Sequence, residues 1–376
     1  MISANHLFFF FKKKKIDFFT GVPDSILKNF SHILEIHKKK ITNIITANEG
    51  SAVALAAGNY LSTKKLALVY MQNSGLGNAI NPLISMCHPK VYSIPMILMI
   101  GWRGSTNEND EPQHQLKGKI TKSILKLLNI KFIVLNNTKD IKKIKNLINY
   151  SKYKKTPVAI LIKNHTLYLN DNYKKYLNDN YKKEIKSKYS LTRELVINEL
   201  LNKINKNTRI ISTTGYTSRE LFQIRKNKKF KNGKDFYMVG GMGHASMTSL
   251  GYSLSSKNQV ICLDGDGSLL MHMGSLISTG LKSKSNFKHI LLNNGAHESV
   301  GNQKIDTLKV IFKNISKSFG YKNYYLAKDN LSFVKNLRYF LKFKGPSFFE
   351  ILIRSKSMKN LSRPKNLIRI KKNFIK

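Results

Sequence analysis

"QVICLDGDGSLL", residues 259–270, runs an apolar stretch straight into a glycine-flanked carboxylate, Asp266 between Gly265 and Gly267. The apolar part reads as a buried strand, and the following "SLLMHMGSLISTGL" (268–281) reads as a helix. The next apolar run, "KHILLN" (288–293), ends in Asn293-Asn294-Gly295, which puts Asn293 27 residues after Asp266. That spacing is one strand–helix–strand unit. Its two strands should be parallel, so both of their ends lie on one edge of the sheet. A carboxylate and a carboxamide oxygen then converge where a helix N-terminus favours an incoming anion. Hard oxygen ligands with positions left open for phosphate and water suit Mg²⁺. The two glycines let the backbone approach such an anion without a Cβ in the way.

Other glycine motifs fail on spacing. A phosphate-binding P-loop needs Gly-Lys-Ser/Thr at its end, and none is present here. The dinucleotide fingerprint needs a glycine where Leu270 stands. An EF-hand starting at Asp264 needs glycine at Leu269 and glutamate at Ser275.

The chain around this motif has 376 residues, which suits two domains. Its hydrophobic share of 41% is that of a folded protein. No apolar run is long enough to span a membrane. The start, "MISANHLFFFFKKKK", has a short apolar run with its charges behind it, the reverse of a secretory leader. Only Cys87 and Cys262 are present, both in apolar segments, as free thiols in a reducing compartment would be. A cytoplasmic protein is expected. The net charge of +44, from 65 Lys plus Arg against 21 Asp plus Glu, invites a nucleic-acid reading. The lysines are scattered among Asn and Ile instead of gathered on one helix, and no nucleic-acid-binding signature accompanies them. A compositional drift of the source accounts for the count, and no nucleic-acid partner is expected. A basic field still attracts anionic substrates.

Two alternations of strand and helix are legible. The first has apolar runs at 16–21, 43–48, 66–71, 95–101, 130–136 and 157–164; the second has them at 209–215, 235–241, 259–265, 288–295 and 347–354. The rhythm predicts an α/β protein with two doubly wound parallel-sheet domains, 1–167 and 191–376. Between them, "YLNDNYKKYLNDNYKK" (168–183) repeats an eight-residue polar unit and reads, with the residues to 190, as an exposed linker. An amphipathic helix over 191–204 opens the second domain.

The Gly-Asp-Gly turn followed by paired asparagines resembles the cofactor motif of the thiamine diphosphate-dependent decarboxylase family. The resemblance implies Mg²⁺ held by Asp266, Asn293 and the Gly295 carbonyl, with Gly265, Gly267 and Ser268 around a diphosphate. "IITANEGSAVALAAGNYL" (44–61) and "LVYMQNSGLGNAINPL" (68–83) resemble that family's pyrimidine-binding domain. Glu49 would there protonate the aminopyrimidine ring, although a glutamate so placed also serves as a first-turn helix residue. "MVGGMGHASMTSLGYSL" (238–254) resembles the element that bends the cofactor, with Met242 between its rings and the Gly240 carbonyl on its amino group. The family's two-domain members place the cofactor between subunits, which implies at least a homodimer.

"DFFTGVPDSILKNF" (17–30), "GWRGSTNENDEPQHQLKG" (101–118), "STTGYTSREL" (212–221), "LLNNGAHESVGNQ" (291–303) and "LSRP" (361–364) are similar to the family's phosphonopyruvate decarboxylase branch, whose near relative is the sulfopyruvate branch. The implied substrate is a small anionic 2-oxo acid. Asp24, His114 and His297 would join Glu49 as catalytic groups. Ser25, Arg103, His114 and Ser299 would meet the substrate. Asp24 reads equally as a helix N-cap, and each histidine, taken singly, as a surface or core residue.

Overall fold

The computed structural model describes residues 1–105, 110–173, 175, 189–226, 228–231 and 233–376. The chain forms two compact units, Met1–Lys183 and Glu184–Lys376. The repeated segment lies largely outside the described residues. Its first residue, Tyr168, pairs with Ser3 in a short parallel bridge inside the first unit.

The first unit is built on strands β1 (Phe18–Gly21), β2 (Thr42–Ile45), β3 (Leu68–Gln72), β4 (Ile97–Gly101), β5 (Lys131–Leu135) and β6 (Val158–Ile162). They form one parallel sheet in the order β2-β1-β3-β4-β6-β5. Strand residues buried on both sides explain the unbroken apolar runs. Leu68 and Tyr70 enter one core and Val69 and Met71 the other, the two-residue period of a strand covered on both faces.

The second unit repeats the plan with β7 (Arg209–Ser212), β8 (Lys234–Tyr237), β9 (Val260–Gly265), β10 (Phe287–Asn293), β11 (Asn323–Ala327) and β12 (Ser347–Leu352). Its order, β8-β7-β9-β10-β12-β11, is the same, and every pair is parallel. Reversal of strand order falls between β1 and β3 in one unit and between β7 and β9 in the other. Open α/β sheets bind ligands at such crevices.

Two local expectations are corrected. Strand β11 was not anticipated: it is a half-buried edge strand with Tyr324 and Tyr325 in place of an aliphatic run. The helix expected over 268–281 is split into Asp266–Met271, a tight turn over Met273–Ser275, and Leu276–Lys282. The break is at His272, which leaves helical geometry. Among the described residues no helix is long and apolar enough to cross a membrane.

The helix Arg193–Lys203, capped by Thr192, begins the second unit. Arg193 is buried and donates to Glu220 Oε1 at 3.1 Å and to Glu298 Oε2 at 2.7 Å. It thus ties this helix to the helix after β7 and to the loop after β10. Removing it would strand two carboxylates in the interior. Arg193→Leu is expected to lower unfolding stability by roughly 3–5 kcal/mol, read from the urea midpoint. An unchanged midpoint would show the triad to be energetically neutral.

Candidate functional site

Strand β9 delivers Gly265 and Asp266 to the edge of its sheet, and parallel β10 delivers Asn293 and Gly295 beside them. Asp266 is buried, and three groups donate to it: Gly267 N at 2.9 Å, Gly295 N at 2.7 Å and Thr307 Oγ1 at 2.9 Å. Burial pushes its carboxyl up to about 6, against the opposing pull of these hydrogen bonds and of Arg193. A carboxylate offers about four acceptor positions, so one remains.

Asn293 is fully buried. Its Nδ2 donates to Glu350 Oε1 at 2.9 Å and to the Thr307 carbonyl at 3.4 Å, while its Oδ1 has no hydrogen-bond partner. An orphaned buried oxygen costs about 1–3 kcal/mol unless something else satisfies it. The Gly295 carbonyl accepts from Ile305 N at 2.9 Å, which leaves it a second lone pair. Carboxylate, carboxamide oxygen and backbone carbonyl are the donor set of a hard divalent cation. These residues fit one.

A cleft of about 450 Å³ opens over this point, lined among others by Thr213, Met242, Gly265, Ser268, His297 and Ser299. Ser268 Oγ accepts from Gly243 N at 3.0 Å and from Thr213 Oγ1 at 2.7 Å. It thereby clamps the loop that carries Met242 to the turn that carries Asp266. The loop turns at Gly241 and Gly243, both at positive φ, a conformation that favours glycine. Gly240 precedes it and is not part of the cleft lining. Gly265 faces open space, since an added Cβ would meet nothing nearer than Thr213 Cγ2 at 3.8 Å. Gly267 lies against His297: a Cβ there would meet the imidazole ring at 2.6 Å, so the missing side chain makes room for it. Burial lowers the His297 pKa to about 4, so the ring is neutral near pH 7.

In the first unit, Glu49 begins the helix Glu49–Thr63 behind its cap Asn48 and is buried. Asn78 Nδ2 donates to Glu49 Oε2 at 2.8 Å. A Cβ on Gly75 would overlap Glu49 Oε1, so that glycine leaves the space the carboxylate occupies. Asp24 follows β1 and, against the N-cap reading, is not the cap of the next helix, Lys28–Ile36, whose cap position is Leu27. Asp24 Oδ1 accepts from Ile26 N and Leu27 N at 2.9 and 3.1 Å, closing a turn just ahead of that helix. Its Oδ2 is buried without a partner, and burial pushes the carboxyl up to about 6. Arg103, after β4, donates from Nη1 to Ser25 Oγ at 3.2 Å, so the structure brings these two together. Asp110 grips the same guanidinium through Nε at 2.7 Å and through Nη2. Asn73 holds the Arg103 backbone from both sides, at 3.1 Å to N and 2.9 Å to O. His114 lies in the first turn of the helix Pro112–Leu127, its carbonyl packed against Gly104. Residues 106–109 of the intervening loop lie outside the described residues.

Sequence reasoning passed over Asn73, Asn78, Asp110, Thr213, Thr307 and Glu350. Asn73 and Thr213 were detectable, because each directly follows a strand at the crevice of its sheet. Thr307 and Glu350 carried no such signal.

The buried Asp24 yields a pH test. Its folded pKa of about 6 exceeds the ordinary aspartate value of 3.8, so the folded state binds the extra proton between those values and the carboxylate is destabilising above them. Asn presents the same accepting oxygen without the charge. The stability of Asp24→Asn relative to the parent is expected to rise from pH 4 to 6 and then level off, with a total gain of roughly 3 kcal/mol. A difference independent of pH, by urea unfolding across that range, would contradict the shifted carboxyl.

Residues 1–124 match the family model described as thiamine pyrophosphate enzyme, N-terminal TPP binding domain, and residues 213–351 match its C-terminal TPP binding domain counterpart. A phosphonopyruvate decarboxylase of Streptomyces viridochromogenes is 32% identical over 356 residues, covering 92% of this chain and 87% of the relative. Another, from Streptomyces hygroscopicus, is 30% identical over 376 residues, covering 97% and 91%. A sulfopyruvate decarboxylase of Methanosarcina acetivorans is 27% identical over 356 residues, covering 91% and 89%. With two thiamine pyrophosphate-binding domains and relatives matched along nearly their whole length, the chain belongs to the thiamine pyrophosphate-dependent decarboxylases, carboxy-lyases of the phosphonopyruvate decarboxylase family.

Proposed function

We propose that this chain, with thiamine diphosphate anchored by Mg²⁺, converts 3-phosphonopyruvate to phosphonoacetaldehyde and CO₂ as a cytoplasmic step of phosphonate biosynthesis. The observation that carries the magnesium is the unpartnered, fully buried Asn293 Oδ1, on a side chain that shares Thr307 with Asp266. The phosphonate substrate is supported by the two full-length relatives above 30% or at it, against 27% for the sulfonate enzyme. Asp266, Asn293 and the Gly295 carbonyl hold the cation. Gly265, Gly267 and Ser268 lie along the diphosphate, His297 packs against Gly267, and Met242 and the Gly240 carbonyl orient the rings. When bound, the coenzyme supplies a nucleophilic carbon for the ketone and a sink for the electron pair released with CO₂.

The remaining work belongs to side chains of the first unit and to the loop after β10. Glu49, fixed by Asn78, holds a proton against the pyrimidine nitrogen. Asp24, kept near pH 6 in its titration by burial, holds at Oδ2 the proton that replaces the lost carboxyl group. Arg103 and Ser25 bind the anionic head through charge-assisted contacts. His114, His297 and Ser299 complete the substrate surroundings, His297 as a neutral ring. Both thiols are buried and free, as suits a reducing compartment.

At least a homodimer, with the active site shared between subunits, completes the reading. Each unit leaves an outward helix face with large apolar side chains: Leu61 and Ile84 in the first, and Met247, Leu254, Ile277 and Leu281 in the second. A Cβ on Gly58, Gly77, Gly251 or Gly274 would touch nothing, so these faces are shallow enough for close approach by a second copy. Sedimentation of the purified protein at micromolar concentration should give a dimer or larger. A monomer retaining turnover would sink the shared site.

Purified protein should release CO₂ from phosphonopyruvate only when thiamine diphosphate and Mg²⁺ are both supplied. A higher kcat/KM on sulfopyruvate would transfer the assignment to the sulfonate branch. Glu49→Gln should keep the parent melting temperature and its cofactor-induced rise, yet lose turnover by roughly 100-fold or more. Full activity in that variant would remove Glu49 from the chemistry.

A further inference from the structure

A carboxamide is a nearly symmetric group. Rotating Asn293 about its last torsion would exchange Oδ1 and Nδ2 at little intrinsic cost. A ligand atom that can turn into a donor is a poor ligand, so something must decide which end of the amide is left without a partner. Three groups bear on that choice.

Glu350 lies on β12, which pairs with β10 so that Leu291 is opposite Glu350 and Asn293 opposite Leu352. Asn293 and Glu350 are therefore diagonal neighbours on one sheet face. Glu350 Oε1 accepts from Asn293 Nδ2 at 2.9 Å. Its other oxygen accepts from Tyr324 OH at 2.6 Å, a side chain of the edge strand β11. The second group, the Thr307 carbonyl, is also only an acceptor and also faces Nδ2. With two acceptors on one side, the amide must present its nitrogen to them and its oxygen away. Thr307 goes further: its hydroxyl donates to Asp266 Oδ2 at 2.9 Å, so one residue touches both side chains. The third group, Ile305 N on the Gly295 carbonyl, anchors the segment leading into Thr307. Plain core packing does not ask for this arrangement. A carboxylate 6% exposed is costly to bury, and an apolar residue would fill β12 at lower cost.

We infer that Glu350 and Thr307 are positioning residues for the divalent cation: Glu350 sets the orientation of Asn293 so that Oδ1 is offered, and Thr307 fixes the separation of that oxygen from the Asp266 carboxylate. The inference rests on the magnesium reading given above. Neither residue touches the cation; each acts through a ligand. Partners of this kind typically change metal affinity by 10- to 100-fold when removed.

Mn²⁺ is the probe, a hard octahedral cation whose unbound form is counted by its paramagnetic resonance signal. It is titrated into the full apo-protein with saturating thiamine diphosphate, beside a melting curve of each apo-variant. Glu350→Leu and Thr307→Val are expected to weaken Mn²⁺ binding by about tenfold or more. Glu350→Gln, which keeps an acceptor for Asn293 but not the charge, should lose less than Glu350→Leu. Should Glu350→Leu fail to fold, Thr307→Val, which removes only a hydroxyl in a nearly isosteric side chain, decides. Mn²⁺ affinity within twofold of the parent in the folded variants overturns the inference, even where their melting temperatures fall, because that is what a purely structural role predicts. If the parent protein itself takes up no Mn²⁺, the magnesium reading falls and takes this inference with it.

Discussion

Three separated segments of the second unit meet on one carboxylate. Asp266 accepts from its own turn, from Gly295 at the end of the neighbouring strand, and from Thr307 beyond the loop that follows. Burial drives its carboxyl up to about 6, so the fold holds this charge against a substantial desolvation cost. A buried carboxylate and an unsatisfied carboxamide oxygen joined through Thr307 are incomplete as core structure. The cleft, the clamp at Ser268 and the ion-paired Arg193 are all arranged around that point.

The two units share one strand order yet contribute different chemistry. In the second, the strand ends carry Asp266, Asn293 and the Gly295 carbonyl; in the first, they carry two buried acids and one guanidinium. A parallel sheet permits this division, because every strand delivers its C-terminal residue to the same edge and only those residues need differ. The high positive charge takes little part. Two arginines, Arg103 and Arg193, are each held by carboxylates through their guanidinium groups. That is a geometric role to which the flexible lysines, so abundant in the composition, are poorly suited.

Most of the sheet was legible because buried parallel strands are written as continuous apolar runs. Strand β11 escaped for the same reason in reverse: at the edge of the sheet, Tyr324 and Tyr325 are half covered and their run has no aliphatic signature. The broken helix after Asp266 escaped because apolar periodicity continues through His272 while the backbone does not. At the site, Asp266 and Asn293 were legible from their spacing, and Glu49 and Asp24 from their places after strands. The neighbour that a side chain at Gly267 would strike, His297, was not legible, because it lies 30 residues further along the chain.

Sequence alone determined the two α/β units, the strand ends at which functional groups collect, and the residue types gathered there. These follow from local period and spacing, which a one-dimensional pattern records. Only the tertiary structure decided which end of the Asn293 amide is left without a partner, since Glu350 is 57 residues away along the chain and 2.9 Å away in space. The same holds for the pairing of Arg103 with Ser25, 78 residues apart. Orientation of a symmetric side chain is fixed by neighbours brought in by sheet register, and register is a property of the folded sheet that no single strand contains.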